Sequence, residues 1–365
     1  MWLKQLTLEN CRIIKHCALE LSARTNVFIG GNGSGKSSLV EGLCILSRGR
    51  SFRTPRIAEV IRRGADQLIV RGRIVNQQTG REYPLGISKG SQHTHIRINH
   101  ADIHQQAELS RHLPLTIIHP ETVDLLAGSP VQRRALLDWI AFYREPEFHQ
   151  DWKTYQRILK QRNVCLRESK QAYALAYWTE QFVPLQQRIY GYRERALHAL
   201  QAALQTLNVL LNPIGEVQLQ LTRGFPASIA LSDKDQLLHF LRSKEEQEKR
   251  YGVTLYGVHR SDILVLLNDT AAAKTASRGQ LKLLGIALLL AQSMAILQEG
   301  ENRGIIVIDD LASEVDNDNQ QLLYQVLQGT QQQLIITETR PPSPDYLPTD
   351  SLQFHVKQGE CLLSD

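Results

Sequence analysis

The chain has 365 residues, 42% hydrophobic and 22% charged, with a formal net charge of +5 and a mean hydropathy of −0.27. That excludes a disordered or fibrous chain, and at about 150 residues per domain there is room for two domains or one large domain with an insertion. The longest apolar run, residues 283–297, is broken by Gln292 and Ser293 and falls short of the ~18 residues a membrane-spanning helix needs. Met1-Trp2-Leu3-Lys4 opens without a charged-then-apolar leader, so the expectation is a cytoplasmic protein with no membrane partner. The five cysteines (Cys11, Cys17, Cys44, Cys165 and Cys361) form no CxxC pair, which excludes a disulfide scaffold or a zinc site as organising principle.

Leu3, Leu6 and Leu8 approximate strand alternation, 18–21 continues it, and Asn26-Val27-Phe28-Ile29 is a short apolar run ending in glycines. Residues 37–46 then take helical spacing through Leu39, Val40, Leu43 and Leu46. Residues 48–73 hold eight arginines against Glu59 and Asp66, a net +6. Such clustering is the footprint of a polyanion, because each phosphate contact releases counterions; a solvated face with internal ion pairs is the equal alternative. Short strands resume over 68–99. Residues 131–211 carry one glycine, twelve of the 23 aromatics and a further +5, the texture of two or three long amphipathic helices whose aromatics form helix–helix core. Residues 216–221 alternate like a strand, 243–250 form a charged helix, and strand–helix texture continues from Val253.

Gly30-Gly31-Asn32-Gly33-Ser34-Gly35-Lys36-Ser37 fits the P-loop spacing, between a strand ending at Ile29 and a helix opening at Ser37. Glycines allow backbone N–H groups to converge on phosphate oxygens, Lys36 reaches the β- and γ-phosphates, and Ser37 is placed to coordinate Mg²⁺. The candidate nucleotide-binding residues are Gly30, Gly31, Asn32, Gly33, Ser34, Gly35, Lys36, Ser37 and Ser38. The buried run Ile305-Ile306-Val307-Ile308 delivers Asp309-Asp310 at the carboxyl edge of a parallel sheet. Asp309 is the second metal ligand, and Asp310 orients the attacking water as a catalytic residue with Lys36. The cofactors expected are ATP and Mg²⁺.

A third motif, Ser277-Arg278-Gly279-Gln280, opens the helix over 281–297. Alone it reads as an N-cap with a capping box. Its place after the P-loop and before Asp309 resembles the layout of ABC-type ATPases, whose signature binds the nucleotide of a second subunit; Ala312-Ser313-Glu314-Val315-Asp316 then resembles their D-loop.

Within that class the chain resembles the RecF family of bacterial recombination mediators over nearly its whole length. The residues that carry this are Leu8-Glu9-Asn10-Cys11-Arg12, the P-loop, Gly49-Arg50-Ser51-Phe52-Arg53-Thr54, Pro120-Glu121, Gly128-Ser129-Pro130, and Arg133-Arg134 with Leu137-Asp138. Gly257-Val258-His259-Arg260-Ser261-Asp262, Ser277-Arg278-Gly279-Gln280-Leu281-Lys282 and the Asp309-Asp310 ending complete the set. Departures are Cys11 for Phe, Val258 for Pro, Ser261 for Asp, Val315 for Leu, and Asn268-Asp269 for an Asn-Gly turn. Thr337 stands where transporters place a γ-phosphate-sensing histidine, which the RecF family also lacks.

The resemblance implies an α/β, ABC-type P-loop ATPase head with an inserted helical arm, the head being 1–118 with 251–365 and the arm 119–250. It implies an ATP-dependent homodimer on DNA at single-strand/double-strand junctions and gapped duplex, weak DNA-stimulated ATPase activity, cooperation with RecR and loading of RecA. Arg50, Arg53, Arg56, Arg62 and Arg63 are the DNA-contact candidates. A transporter ATPase subunit, the alternative, is shorter and keeps the late histidine; an SMC-like structural protein would carry a longer arm.

Overall fold

Leu3, Leu6 and Leu8 are all buried, so the first strand, Trp2–Cys11, turns one face to a core. In the computed structural model, which describes residues 1–168, 172–297, 304–310 and 315–364, this strand belongs to a six-stranded antiparallel sheet. Its order is Ile14–Glu20, Trp2–Cys11, Gln67–Val75, Glu82–Gly90, Thr94–Ile98, Ala101–Ile103. A second six-stranded sheet runs Glu360–Leu363, Leu352–Lys357, Thr25–Ile29, Gln333–Glu338, Ile305–Asp309, Leu115–Ile118. Its pairings are parallel except for the hairpin of the last two strands in sequence.

The helix Lys36–Arg48 packs on both sheets, with Leu39, Val40, Leu43 and Ile45 fully buried. Gly42 lets it close on the first strand: a Cβ there would stand 2.1 Å from Leu8 Cδ2. Gln333 ties the two sheets together through polar bonds. Its side-chain amide donates to Leu3 O (2.9 Å) and Ser22 O (2.8 Å), and its Oε1 accepts from Leu3 N (2.9 Å). These elements form one compact unit, Met1–Thr122 with Glu299–Asp365; a second is Val123–Gln298.

The second unit is built on the helices Pro130–Arg144, Phe148–Arg167, Ala172–Gln205 and Arg278–Ala295, with a small sheet of 217–221, 263–267 and 270–271. Its boundaries correct the expected domain division. Residues 251–298 were expected in the head, but Ile263–Leu267 pairs with Val217–Leu221 and Arg278–Ala295 packs on Ala172–Gln205. Tyr173 and Tyr177 are exposed, but most of the aromatics form core, as expected, with Trp152 stacked on Tyr155 and Tyr155 on Phe182. Two arginines are enclosed with them. Arg162 pairs with the buried Glu248 at 2.5 Å, and Arg193 with Asp138 at 2.7 Å.

His259 sits in this polar core. Its Nδ1 lies 2.7 Å from Tyr155 Oη and its Nε2 3.1 Å from Thr254 O. A carbonyl only accepts, so Nε2 carries the proton and Nδ1 accepts from the tyrosine hydroxyl. Burial, with Arg260, Arg134 and Arg162 nearby, pushes His259 down to about 4. The unfolded chain takes up its proton near pH 6.5, so this stabilisation is complete above about 6.5 and is lost as pH falls toward 4. It should amount to about 2 kcal/mol lost by pH 5. In urea unfolding followed by tryptophan fluorescence, the wild type should lose that much more stability between pH 7 and 5 than His259→Gln; equal losses would refute the assignment.

Candidate nucleotide-binding site

The loop after Ile29 is shaped by backbone that only glycine adopts freely. Gly33 (φ 76°) and Gly35 (φ 123°) lie in the left-handed region. Gly30 is needed for space, since a Cβ would stand 2.3 Å from Val356 O and 2.6 Å from Ser34 Oγ. The loop is braced on both sides: Gly30 N–H donates to Glu338 O (3.1 Å), and Gly359 N–H, from the 352–363 hairpin, donates to Ser34 O (2.7 Å).

Inside it the buried Lys36 ammonium donates to Gly30 O at 2.5 Å and Gly31 O at 3.2 Å. The helix begins at Lys36 without a side-chain cap, leaving first-turn amides and the positive end of its dipole facing the loop. The buried Ser34 Oγ has no hydrogen-bond partner. Uncapped amides, an ammonium and an orphan hydroxyl are a donor set suited to an anion, so the residues present fit a nucleotide's phosphates.

Sheet register brings the acidic pair to the same edge. Phe28 is opposite Thr337, and Thr337 opposite Asp309. Asp309 therefore sits two strands, about 10 Å, from the strand that enters the loop. Asp309 is buried, and its Oδ1 accepts from the Thr337 hydroxyl at 2.7 Å. The chain turns sharply at Asp310 (φ 52°), whose N–H donates to Thr337 O (3.0 Å) and Thr337 Oγ1 (3.1 Å). A carboxylate at the sheet edge beside a phosphate cradle, with the Ser37 hydroxyl on the cradle's helix, is oxygen chemistry that fits Mg²⁺.

Glu41, one turn along the P-loop helix, is fully buried. It accepts two bonds from Arg12 (2.7 and 3.0 Å) and one from the Ser51 hydroxyl, joining the P-loop helix to the arginine-rich segment. In that segment Arg50, Arg53 and Arg63 are exposed. Arg56 pairs with Glu59 at 3.5 Å, and Arg62 donates to Ile13 O at 2.7 Å. Arg48, Arg71 and Arg73 are also engaged, with Leu115 O, Glu9 and Glu82.

In the second unit, the turn at 277–280 is a full capping box. Gln280 N–H donates to Ser277 Oγ (3.3 Å), and Ser277 N–H to Gln280 Oε1 (2.9 Å). Ser277, Arg278 and Gly279 are nonetheless exposed. Of the D-loop match, residues 312–314 lie outside the described residues; Asp316 caps the helix Asn317–Gly329 by accepting from Asn319 N–H at 2.9 Å.

The hairpin that braces the loop, Leu352–Lys357 with Glu360–Leu363, was not singled out within the strand–helix texture after Val253. The alternation of Leu352, Phe354 and Val356 followed by Gln358-Gly359 was the available signal.

The family model for the RecF/RecN/SMC N terminal domain matches residues 2–345. The DNA replication and repair protein RecF of Vibrio campbellii is 35% identical over 364 residues, covering 98% of this chain and 99% of that protein. The chain belongs to the RecF family. RecF of Aliivibrio salmonicida is 32% identical, covering 99% of each chain. A solved structure of the recombination mediator protein RecF in the RecFOR pathway aligns with a TM-score of 0.87 at 23% identity, covering 100% of this chain and 98% of that one. An Smc head bound to the C-winged helix domain of ScpA aligns at 0.60 and 14%, covering 100% and 97%. The fold is that of an ABC-type ATPase head.

The space around Gly30 gives a direct check. Gly30→Ala should force Ser34 and the Val356 carbonyl apart and weaken ATP binding at least about tenfold, with a stability loss of about 1–3 kcal/mol. Titration with a fluorescent ATP analogue alongside thermal melting reads both. Unchanged affinity would mean that this loop does not hold the phosphates.

Proposed function

We propose that this RecF-family chain is an ATP-gated DNA clamp acting in recombinational repair and replication-gap repair. The observation that carries the reading is the parallel register placing the uncapped glycine loop and Asp309 at one sheet edge. Full-length similarity to proteins named for DNA replication and repair supports the biological setting; one solved relative is described as RecF-ATP in the RecFOR pathway.

The loop residues 30–38 hold the ATP phosphates, with Lys36 leaving its carbonyl partners for the β- and γ-oxygens. Ser37 and Asp309 hold Mg²⁺, which when bound neutralises charge on the phosphate oxygens. Asp310 orients the attacking water. Exposed Ser277, Arg278 and Gly279, with Gln280, meet the ATP of a second copy, so ATP acts as an interfacial ligand of a two-fold dimer. DNA at junctions and gaps is met by Arg50, Arg53 and Arg63, with Arg56 and Arg62 drawn from their present partners. Hydrolysis is weak, DNA-stimulated and serves release; RecR is the partner, and RecA loading the outcome. Among the described residues no helix is long and apolar enough to cross a membrane; the place of action in this reading is the cytoplasm.

The acidic pair should separate by role. Asp310→Asn should bind ATP normally, cut turnover at least about a hundredfold and accumulate a dimer, whereas Asp309→Asn should lose the Mg²⁺-dependent part of binding. Equal behaviour of the two variants in binding and turnover assays would contradict this division.

Assembly is tested at Ser277. Ser277→Arg leaves the subunit's own loop untouched, so ATP should still bind while ATP-dependent dimerisation fails and affinity for a gapped duplex drops. Loss of the cap alone predicts only about 1 kcal/mol of stability, with assembly intact. Analytical ultracentrifugation with and without ATP, plus DNA binding across a salt series, separates these outcomes.

A further inference from the structure

Thr337 ends a buried run, Leu334-Ile335-Ile336, and is itself fully enclosed. An apolar environment of this kind favours valine, which has the same shape, because a buried hydroxyl without partners costs free energy. Here the hydroxyl is fully employed. It donates to Asp309 Oδ1 at 2.7 Å and accepts from Asp310 N–H at 3.1 Å, so a single oxygen touches both members of the acidic pair. The β-branched side chain has little χ1 freedom in a strand, which makes this a rigid support. Among the described residues, no ammonium or guanidinium pairs with Asp309, and the Thr337 hydroxyl is its donor.

We propose that Thr337 is a positioning residue for the metal-binding edge. Its hydroxyl engages Asp309 Oδ1 so that Oδ2 is the oxygen left for the cation, and the same hydroxyl holds the left-handed turn that aims Asp310. Without it the Asp309 carboxylate can rotate about χ2, and the φ of 52° at Asp310 loses one of its two backbone supports. The role differs from that of a γ-phosphate sensor, because Thr337 acts through the aspartates and not on the nucleotide. It rests on the ATPase reading above.

The test uses the full chain and a fluorescent ATP analogue, titrated in excess EDTA and across a Mg²⁺ series. Thr337→Val should bind the analogue in EDTA within about twofold of wild type, while the gain in affinity from Mg²⁺ falls about tenfold, the effect of one charge-assisted hydrogen bond. Thr337→Ser, which restores the hydroxyl, should recover the wild-type Mg²⁺ dependence. If Thr337→Val does not fold, Thr337→Ala takes its place, again read against Thr337→Ser. A variant lacking the hydroxyl that melts earlier but keeps the full Mg²⁺ gain would overturn the proposal and leave Thr337 as a support of the turn alone. Wild-type protein with no Mg²⁺-dependent gain would sink the ATPase reading itself, a distinct result.

Discussion

Three parallel strands meeting in register, 25–29, 333–338 and 305–309, determine what this protein can do chemically. Strand pairing fixes position to within one residue, because a slip of one would turn each side chain to the opposite face. With Phe28, Thr337 and Asp309 aligned across the sheet, the glycine loop and the acidic turn emerge from the same edge, where helix dipoles and free backbone groups accumulate. The helix after the loop is held between two sheets, so the loop's geometry is inherited from the core. Neither half of the site has this meaning alone: a glycine turn without the acidic edge is a turn, and an aspartate ending a buried strand is common.

The parts legible in the sequence were those with local causes. Glycines at 30, 33 and 35 answer a close approach or a left-handed backbone, and the unbroken run 305–308 declares a strand buried on both faces. The capping box at Ser277 and Gln280 was also legible, as one of two readings of the same four residues. The division of the chain was not. Whether 263–267 joins the head or the arm depends on its partner, 217–221, nearly fifty residues away, and no periodicity encodes that choice. The bracing role of the 352–363 hairpin is equally non-local, since Gly359 reaches Ser34 across the whole chain.

Charge shows the same limit. Between 131 and 211 arginine and lysine are in excess by five, yet Arg162 and Arg193 are fully buried with acidic partners, and Arg133, Arg188 and Arg195 are paired with Asp262, Asp151 and Glu145. A count of charges treats all of these as solvent-facing. Buried ion pairs of this kind are weak contributors to net stability, but removing one partner leaves an uncompensated charge. The arm's polar core is therefore intolerant of single changes.

The strand that leads into the glycine loop has its sheet neighbour far along the chain: Asn26 and Leu334, which share a hydrogen bond, are 308 residues apart. During synthesis at about 5–20 residues per second, the loop sequence leaves the ribosome roughly 15–60 seconds before the strands that shape it. Through that interval the buried run 25–29 has no parallel neighbours and presents an open, apolar edge to other nascent chains. Competence to bind nucleotide thus arrives late and all at once, and a stalled or truncated product would be an aggregation hazard with no partial activity.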